Sequence, residues 1–224
     1  MSYCFHGKTA IVTGASRGIG KKIADDLKSS GATVHSFSSL DFDLSDTSQT
    51  LAFCALIEKL EKIDVFIYSA GMLGSQDELS ETFNVNVVSA HLLMDSCFKV
   101  MSQQGYGKIV TIGSIAAERF RKQRSIYSAT KAGLVSLTKA KALDYSVSNV
   151  LVNCVSPGPT MTDMISSSMS DKQIADLSSC FPLGRLAETS DISELTMFLC
   201  SDKNNFVTGQ NIVIDGGLTL HAGF

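Results

Sequence analysis

The chain predicts an α/β fold, a doubly wound parallel sheet with helices on both faces. Three observations carry that expectation. Short apolar runs recur near residues 8–13, 63–71, 108–113 and 150–155, each too short for a helix and too uniformly apolar for a strand with one wet face. Stretches of helical period lie between them, beginning with Ile19, Ile23, Ala24 and Leu27. The first run ends in a turn holding Gly14, Gly18 and Gly20. Strand, glycine turn and helix in that order form a phosphate cradle, because glycines let the backbone approach and a helix amino end offers unpaired N–H groups. The same order also suits a tight turn that holds no ligand.

The totals fit one domain spanning residues 1–224, since no break in composition divides the chain. With 44% hydrophobic residues, 18% charged and three prolines, the chain can bury a large core. A net charge of -3 gives no general attraction to nucleic acid or to an anionic membrane, so any basic site must be local. The six cysteines are scattered and form no metal-like cluster with the four histidines, so reduced core thiols and no metal site are expected. The amino terminus carries no basic region followed by a long apolar stretch, and no run reaches membrane-spanning length. A cytoplasmic location is expected.

In chain order, residues 8–13 read as a buried strand, and the helix after the glycine turn stops at Gly31. Residues 32–37 read as a second strand. Residues 46–61 have helical period, with Ser45 or Asp46 as the cap. A strand within 63–71 ends in a glycine turn, and 83–101 suits one long helix containing Asn86. The strand at 108–113 leads to Ser114, and a helix begins near Tyr127. Its small residues Ala129, Ala132 and Gly133 permit close helix packing. The strand at 150–155 leads to the turn Pro157, Gly158, Pro159, Thr160. Residues 163–181 are rich in Ser and Met with little patterning, as in a mobile lid. A helix at 191–200 and a strand in the run ending at Asp215 complete the chain.

Chemistry concentrates at residues 114–131. Tyr127 and Lys131 are four apart and so stack on one helix face. An ammonium beside a phenol favours the phenolate and brings it toward acid/base work at neutral pH. Ser114, at a strand end, can present its hydroxyl to the same point. Taken alone, the three also fit a solvated helix face and a turn serine. Between them, Arg119, Arg121, Lys122 and Arg124 put four cations into six residues. Such a run is commonly a solvated loop, yet its place between two candidate catalytic residues predicts a pocket mouth that attracts an anionic substrate.

These motifs stand in the order of a known family. TGASRGIG at 13–20, SAG at 69–71, Asn86, Ser114, Tyr127 with Lys131, and PG at 157–158 resemble the short-chain dehydrogenases/reductases. The glycine spacing is G-x-x-x-G-x-G rather than the commoner G-x-G-x-x-G. PLGRL at 182–186 and TGQNIVIDGG at 208–217 look most like the bacterial β-ketoacyl-carrier-protein reductases, and the likeness runs nearly end to end.

The resemblance implies a Rossmann-like fold and an NAD(P)-dependent oxidoreductase that moves hydride between nicotinamide and a carbonyl or secondary alcohol. It casts Ser114 and Tyr127 as the pair that hydrogen-bonds the substrate oxygen, Lys131 as support for Tyr127 and holder of the nicotinamide ribose, and Asn86 as holder of a proton-relay water. A satisfied structural amide is the other reading of Asn86. Gly14, Ser16, Arg17, Gly18, Ile19, Gly20, Ser38, Asp43, Leu44, Ala70 and Gly71 fall at cofactor positions, as do Tyr127, Lys131, Pro157, Gly158, Thr160 and Thr162. Tyr68 and Ser69 replace the two asparagines common in the family.

The chain departs from the family after its second strand. The family inserts a full helix and a third strand whose end is marked by an acid like Asp43, whereas only residues 38–43 are available here. A parallel crossover needs about a dozen residues or more. The helix is therefore expected to be missing and that third strand absent or vestigial. Uncharged Ser38 and Ser39, with Arg17 in the loop, favour NADP over NAD, while Asp41 folding into the gap reverses the preference. The resemblance also implies a homotetramer or dimer and a small-molecule or carrier-bound carbonyl substrate such as a β-ketoacyl thioester. The alternatives are a sugar or secondary-alcohol dehydrogenase and a non-catalytic dinucleotide-binding scaffold.

Overall fold

The computed structural model describes residues 3–220, apart from the side chains of Met164 and Ser168. Residues 1–2 and 221–224 of the single domain read from the sequence lie outside the described residues. Six parallel strands form the main sheet: β1 (Thr9–Thr13), β2 (Thr33–Phe37), β3 (Val65–Tyr68), β4 (Gly107–Ile112), β5 (Val150–Pro157) and β8 (Asn211–Ile214), in the order β2-β1-β3-β4-β5-β8. The expected α/β Rossmann-like parallel sheet is thus present.

Strand alternation sorts the core into two layers. Ile11, Phe66, Tyr68 and Ile109 face one side, where they meet α2 (Thr47–Ile57), α4 (Ser89–Gln104) and α5 (Ser125–Tyr145) through Phe53, Leu93, Met94 and Leu134. Ala10, Val12, Val65, Ile67 and Val110 face the other, against Ile23 and Leu27 of α1 (Gly18–Ser29) and Ile192 and Met197 of α8 (Thr189–Cys200). The chain leaves β1 for β2 on one side and returns to β3 on the other. That reversal opens a crevice at the strand carboxyl ends, the usual ligand position in such sheets.

β2 is an edge strand, and residues 38–46 join it to α2 through turns without a helix or strand. Asp46 caps α2 by accepting from the Ser48 backbone N–H at 2.8 Å, which decides between the two caps the sequence offered.

Several expectations need correction. The single helix over 83–101 is broken: α3 (Leu79–Phe83) runs into a π-helical turn, Asn84–Val88, before α4 starts. Residues 163–181 are not unpatterned but contain α6 (Asp163–Ser168) and α7 (Asp171–Ser179), the latter started by a reciprocal Ser170 and Gln173 capping box. A second, two-stranded parallel sheet pairs β6 (Thr160–Met161) with β7 (Ala187–Glu188), too short for any sequence period to reveal. Of the cysteines expected in the core, Cys4 and Cys180 are exposed. No helix among the described residues is long and apolar enough to cross a membrane.

Candidate active site

A cleft of about 1100 Å³ lies at the carboxyl ends of β1, β3, β4 and β5. Its floor begins with the glycine turn. Gly14 has φ +64°, and a Cβ there would stand 2.7 Å from the Ser69 carbonyl oxygen. A Cβ on Gly20 would stand 2.3 Å from the Gly14 oxygen, so side chains at either position would push the turn apart. Arg17 stands at the N-cap of α1 with no side-chain cap, leaving the first amides of the helix without a side-chain partner. Gly14, Ser16, Arg17, Gly18, Ile19 and Gly20 all line the cleft. Thr13 ties this turn to the next one: its Oγ1 accepts from the Ser69 and Ala70 amides at 3.2 and 3.3 Å. Sequence reasoning passed over Thr13; a hydroxyl on the last residue of β1 was the available signal.

The reactive end is built on β4 and α5. Ser114 follows β4 and caps a short 3-10 turn, with its Oγ accepting from the Ala116 amide at 3.1 Å. Its own hydroxyl proton has no acceptor among the described residues and remains available to a substrate oxygen. Tyr127 lies in the first turn of α5, half-buried. One turn on, Lys131 is only 4% exposed. Its Nζ donates to the Ile112 carbonyl at 3.0 Å and sits 5.7 Å from the centroid of the Tyr127 ring. Ser114, Tyr127 and Lys131 line the same cleft.

Asn86 does not line the cleft but stands behind its wall. It is fully buried in the π-helical turn, a device common at functional sites. Its Oδ1 accepts from the Met72 amide at 2.9 Å, and its Nδ2 donates to the Met72 carbonyl at 2.9 Å and to Thr130 Oγ1 at 2.9 Å. Thr130 in turn donates to the Tyr127 carbonyl at 2.8 Å. Asn86 therefore clamps the turn after β3 to the helix that carries Tyr127. A Cβ added to Gly71 would meet Asn86 Oδ1 and Lys131 Nζ, each at 3.4 Å, which shows how closely the three residues converge. Tyr68 supports the π-helical turn from below by donating to the Val85 carbonyl and pairing with Ser89 Oγ at 2.7 Å. Burial drives its phenol far above the ordinary tyrosine range, so it remains a donor.

The other expected cofactor positions, Ser38, Asp43, Leu44, Ala70, Gly71, Pro157, Gly158, Thr160 and Thr162, also line the cleft. Three phenylalanines missed by the sequence reading join them: Phe37, Phe42 and Phe53. Phe42 and Phe53 stack with centroids 4.5 Å apart and planes 1° from parallel. Asp41 does not line the cleft; its Oδ2 accepts from the Ser38 amide at 2.8 Å and the Ser38 hydroxyl at 2.9 Å. Those two bonds hold its carboxyl below the usual aspartate value. The cationic run divides. Arg119, Arg121 and Arg124 line the cleft, whereas Lys122 is exposed away from it.

The glycine turn, the serine at a strand end and the tyrosine and lysine on one helix, together in one crevice, define a short-chain dehydrogenase/reductase. A family model described as enoyl-(acyl carrier protein) reductase matches residues 35–219, and the chain belongs to this family of NAD(P)-dependent oxidoreductases acting on carbonyls and alcohols. It is 35% identical over 246 positions to 2,3-dihydro-2,3-dihydroxybenzoate dehydrogenase of Escherichia coli, covering 97% of this chain and 99% of that one. It is 31% identical to the 3-oxoacyl-[acyl-carrier-protein] reductase FabG of Haemophilus influenzae, over 96% of this chain and 99% of that one. Among solved structures it superposes with TM-score 0.91 on a putative NAD(P)-dependent gluconate 5-dehydrogenase from Beutenbergia cavernae with bound NADP at low occupancy. That protein is 27% identical, and the match covers 99% of this chain and 100% of that one.

Proposed function

We propose that the protein is a carbonyl reductase of the 3-oxoacyl-thioester type, acting as one catalytic and dinucleotide-binding domain. The observation that carries this reading is Lys131, buried against the Ile112 carbonyl at 3.0 Å and set 5.7 Å from the Tyr127 ring centroid. The glycine turn fits a dinucleotide, since its backbone approach at Gly14 and Gly20 leaves no room for side chains and the α1 amino end faces the same cleft. A nicotinamide held there supplies the hydride. Ser114 donates a hydrogen bond to the substrate oxygen. Tyr127 delivers the proton to that oxygen, and Lys131 supports the charge that Tyr127 is left with. Asn86 keeps Gly71 and the Tyr127 helix in register.

NADP is the favoured form of the cofactor. Arg17 lines the cleft, Ser38 is uncharged, and the Asp41 carboxylate is turned onto Ser38 rather than into the cleft. We also infer that the family's helix and strand between β2 and α2 have been dispensed with. Residues 38–46 contain turns only, and the 246 positions aligned with the Escherichia coli relative exceed the 224 residues of this chain. A second reading, a sugar or secondary-alcohol dehydrogenase using the same site, draws on the likeness to the gluconate 5-dehydrogenase. A homo-oligomer is proposed from the family resemblance, although Gly133 already packs within the chain, where an added Cβ would stand 3.6 Å from Val87.

The test is Tyr127→Phe, followed by turnover and by nicotinamide fluorescence during titration with NADPH and NADH. Turnover is expected to fall roughly 10²–10⁴-fold with little change in dinucleotide affinity; turnover at the wild-type rate removes the assignment. In the same titration Arg17→Ala should weaken NADPH more than NADH. Rates on acetoacetyl thioesters against polyols separate the two enzyme readings.

A further inference from the structure

Four cations fall between Arg119 and Arg124, and the fold gives them different surroundings. The Arg119 guanidinium donates to the Leu218 carbonyl, which fastens the segment to the turn after β8. Lys122 is exposed and does not line the cleft. Arg121 and Arg124 line it, and neither side chain has a carboxylate or hydrogen-bond partner among the described residues. Lys21, Lys22, Lys99 and Arg185 reach acids at 2.5, 2.6, 2.7 and 2.6 Å. Some other surface cations, Lys28, Lys59, Lys139 and Lys172, likewise have no acid among the described residues, but none of them lines the cleft; what sets Arg121 and Arg124 apart is that they stand together on one turn at its wall. In a chain of net charge -3, two neighbouring guanidinium groups without an acid call for a physical reason.

The backbone holds the two arginines side by side. The Arg124 amide donates to the Arg121 carbonyl at 3.3 Å, closing a four-residue turn. Gln123 within it has φ 61°, a left-handed conformation that non-glycine residues adopt at a cost. Such a turn brings its first and last α-carbons within about 7 Å. Arg124 immediately precedes α5 and stands three residues before Tyr127, about one helical turn along the chain, and both arginines line the same cleft as the phenol. The cleft also holds acids. Asp43 and Glu78 are engaged with the amides of Ser45 and Ser75 at 2.9 Å each, and neither Glu81 nor Asp163 is within ion-pairing distance of the two arginines.

We propose that Arg121 and Arg124 form an oxyanion clamp for the part of the substrate remote from its carbonyl. The preferred substrate is then a carbonyl compound that carries a carboxylate or a phosphate. Two guanidinium groups on one turn can each offer paired N–H donors to such an oxyanion, which a lysine cannot. Arg119 serves as the anchor of the segment and not as part of the clamp. The clamp rests on the reading of Tyr127 as the proton donor, because it is the distance from Tyr127 that places the anion at the far end of the substrate.

The experiment uses the protein saturated with NADPH and two matched pairs of probes: acetoacetate with its methyl ester, and acetoacetyl-coenzyme A with the neutral acetoacetyl thioester of N-acetylcysteamine. Dissociation constants are read from nicotinamide fluorescence in Tyr127→Phe, where turnover does not disturb binding, and turnover is measured in parallel with Tyr127 intact. At least one anionic probe should bind roughly tenfold tighter than its neutral partner, and that margin should shrink with added salt. In Arg121→Ala/Arg124→Ala the margin should disappear while the neutral probes bind as before. Lysine at both positions should restore only part of it, and Lys122→Ala should leave it unchanged. A margin confined to acetoacetate identifies a free oxo acid, and one confined to the coenzyme A ester a phosphate-bearing thioester. Equal binding within both pairs, or a margin that survives the double alanine variant, overturns the clamp. Absence of turnover on every probe with the margin intact counts against the reductase reading; the two arginines then stand as an anion site, and their assignment to the far end of a carbonyl substrate falls with that reading.

Discussion

The wall that carries Lys131 and the edge around Ser38 serve one cleft but are held in different ways. On the reactive side every residue of β3, β4 and β5 is buried, and the fixing bonds are long-range: Asn86 reaches Met72 and Thr130, and Lys131 reaches Ile112. At the edge, β2 has no fully buried residue, and residues 38–48 are held mostly by local bonds, Ser38 to Asp41, Asp43 to Ser45 and Gln49, and Asp46 to Ser48, with one long-range tie from Asn84 Nδ2 to the Ser45 carbonyl at 2.9 Å. The difference follows from what each side must do. Proton and hydride transfer need atoms positioned closely, so their supports are tied across the sheet. The cleft end beside Ser38 can tolerate a locally built wall, which is consistent with the proposal that a helix and a strand have been dispensed with there.

The largest effect should come from breaking the long-range side. Asn86→Ala removes three buried hydrogen bonds and leaves the Met72 amide and carbonyl without their partner. We expect a loss of roughly 2–4 kcal/mol, read as a lower urea midpoint, together with slower turnover. A variant as stable and as active as the parent would mean that Asn86 is a passive filler and that the two sides are supported alike.

This contrast also explains what could be read from the chain. The glycine turn, the buried strands and the Tyr127 and Lys131 spacing are local patterns, and the structure places each where its period put it. The break at residues 84–88 could not be read, since a π-helical turn inserts within a continuous helical period and the side chain that engages its Val85 carbonyl, Tyr68, comes from another element. The division of the arginines was hidden for the same reason: the partner of Arg119 is Leu218, far along the chain. The α7 cap was legible in Ser170 and Gln173, but the abundance of serine around it masked the signal.

The edge should yield an intermediate effect. Phe42→Ala removes a stack on Phe53 at 4.5 Å, a pair worth about 0.5–1.5 kcal/mol beyond its area, and opens the cleft beside Ser38. Dinucleotide affinity should fall several-fold for NADPH and NADH alike, with turnover at saturating cofactor unchanged. A drop in saturated turnover instead would show that the edge is coupled to the reactive wall.

The smallest effect tests the charge at that edge. Hydrogen bonds from the Ser38 amide and hydroxyl hold the Asp41 carboxyl below its usual value, so it is ionised in any neutral assay. Because the folded value is depressed, what the group contributes to stability is present at neutral pH and is lost only as pH falls through that lowered value, below 3.8. Its negative charge therefore sits beside Ser38, the residue proposed to face the adenosine ribose, throughout the working range. There it opposes a phosphate ester and has little to oppose in a bare hydroxyl. Asp41→Asn keeps an oxygen to accept from Ser38 and removes the charge. NADPH should bind roughly two- to threefold more tightly, NADH should be unchanged, and the gain should fade at high salt because the carboxylate is exposed. A gain shared equally by both dinucleotides would trace the effect to the shape of the turn and not to its charge. Weaker NADH binding would instead make Asp41 a ribose ligand and reverse the proposed preference for NADP.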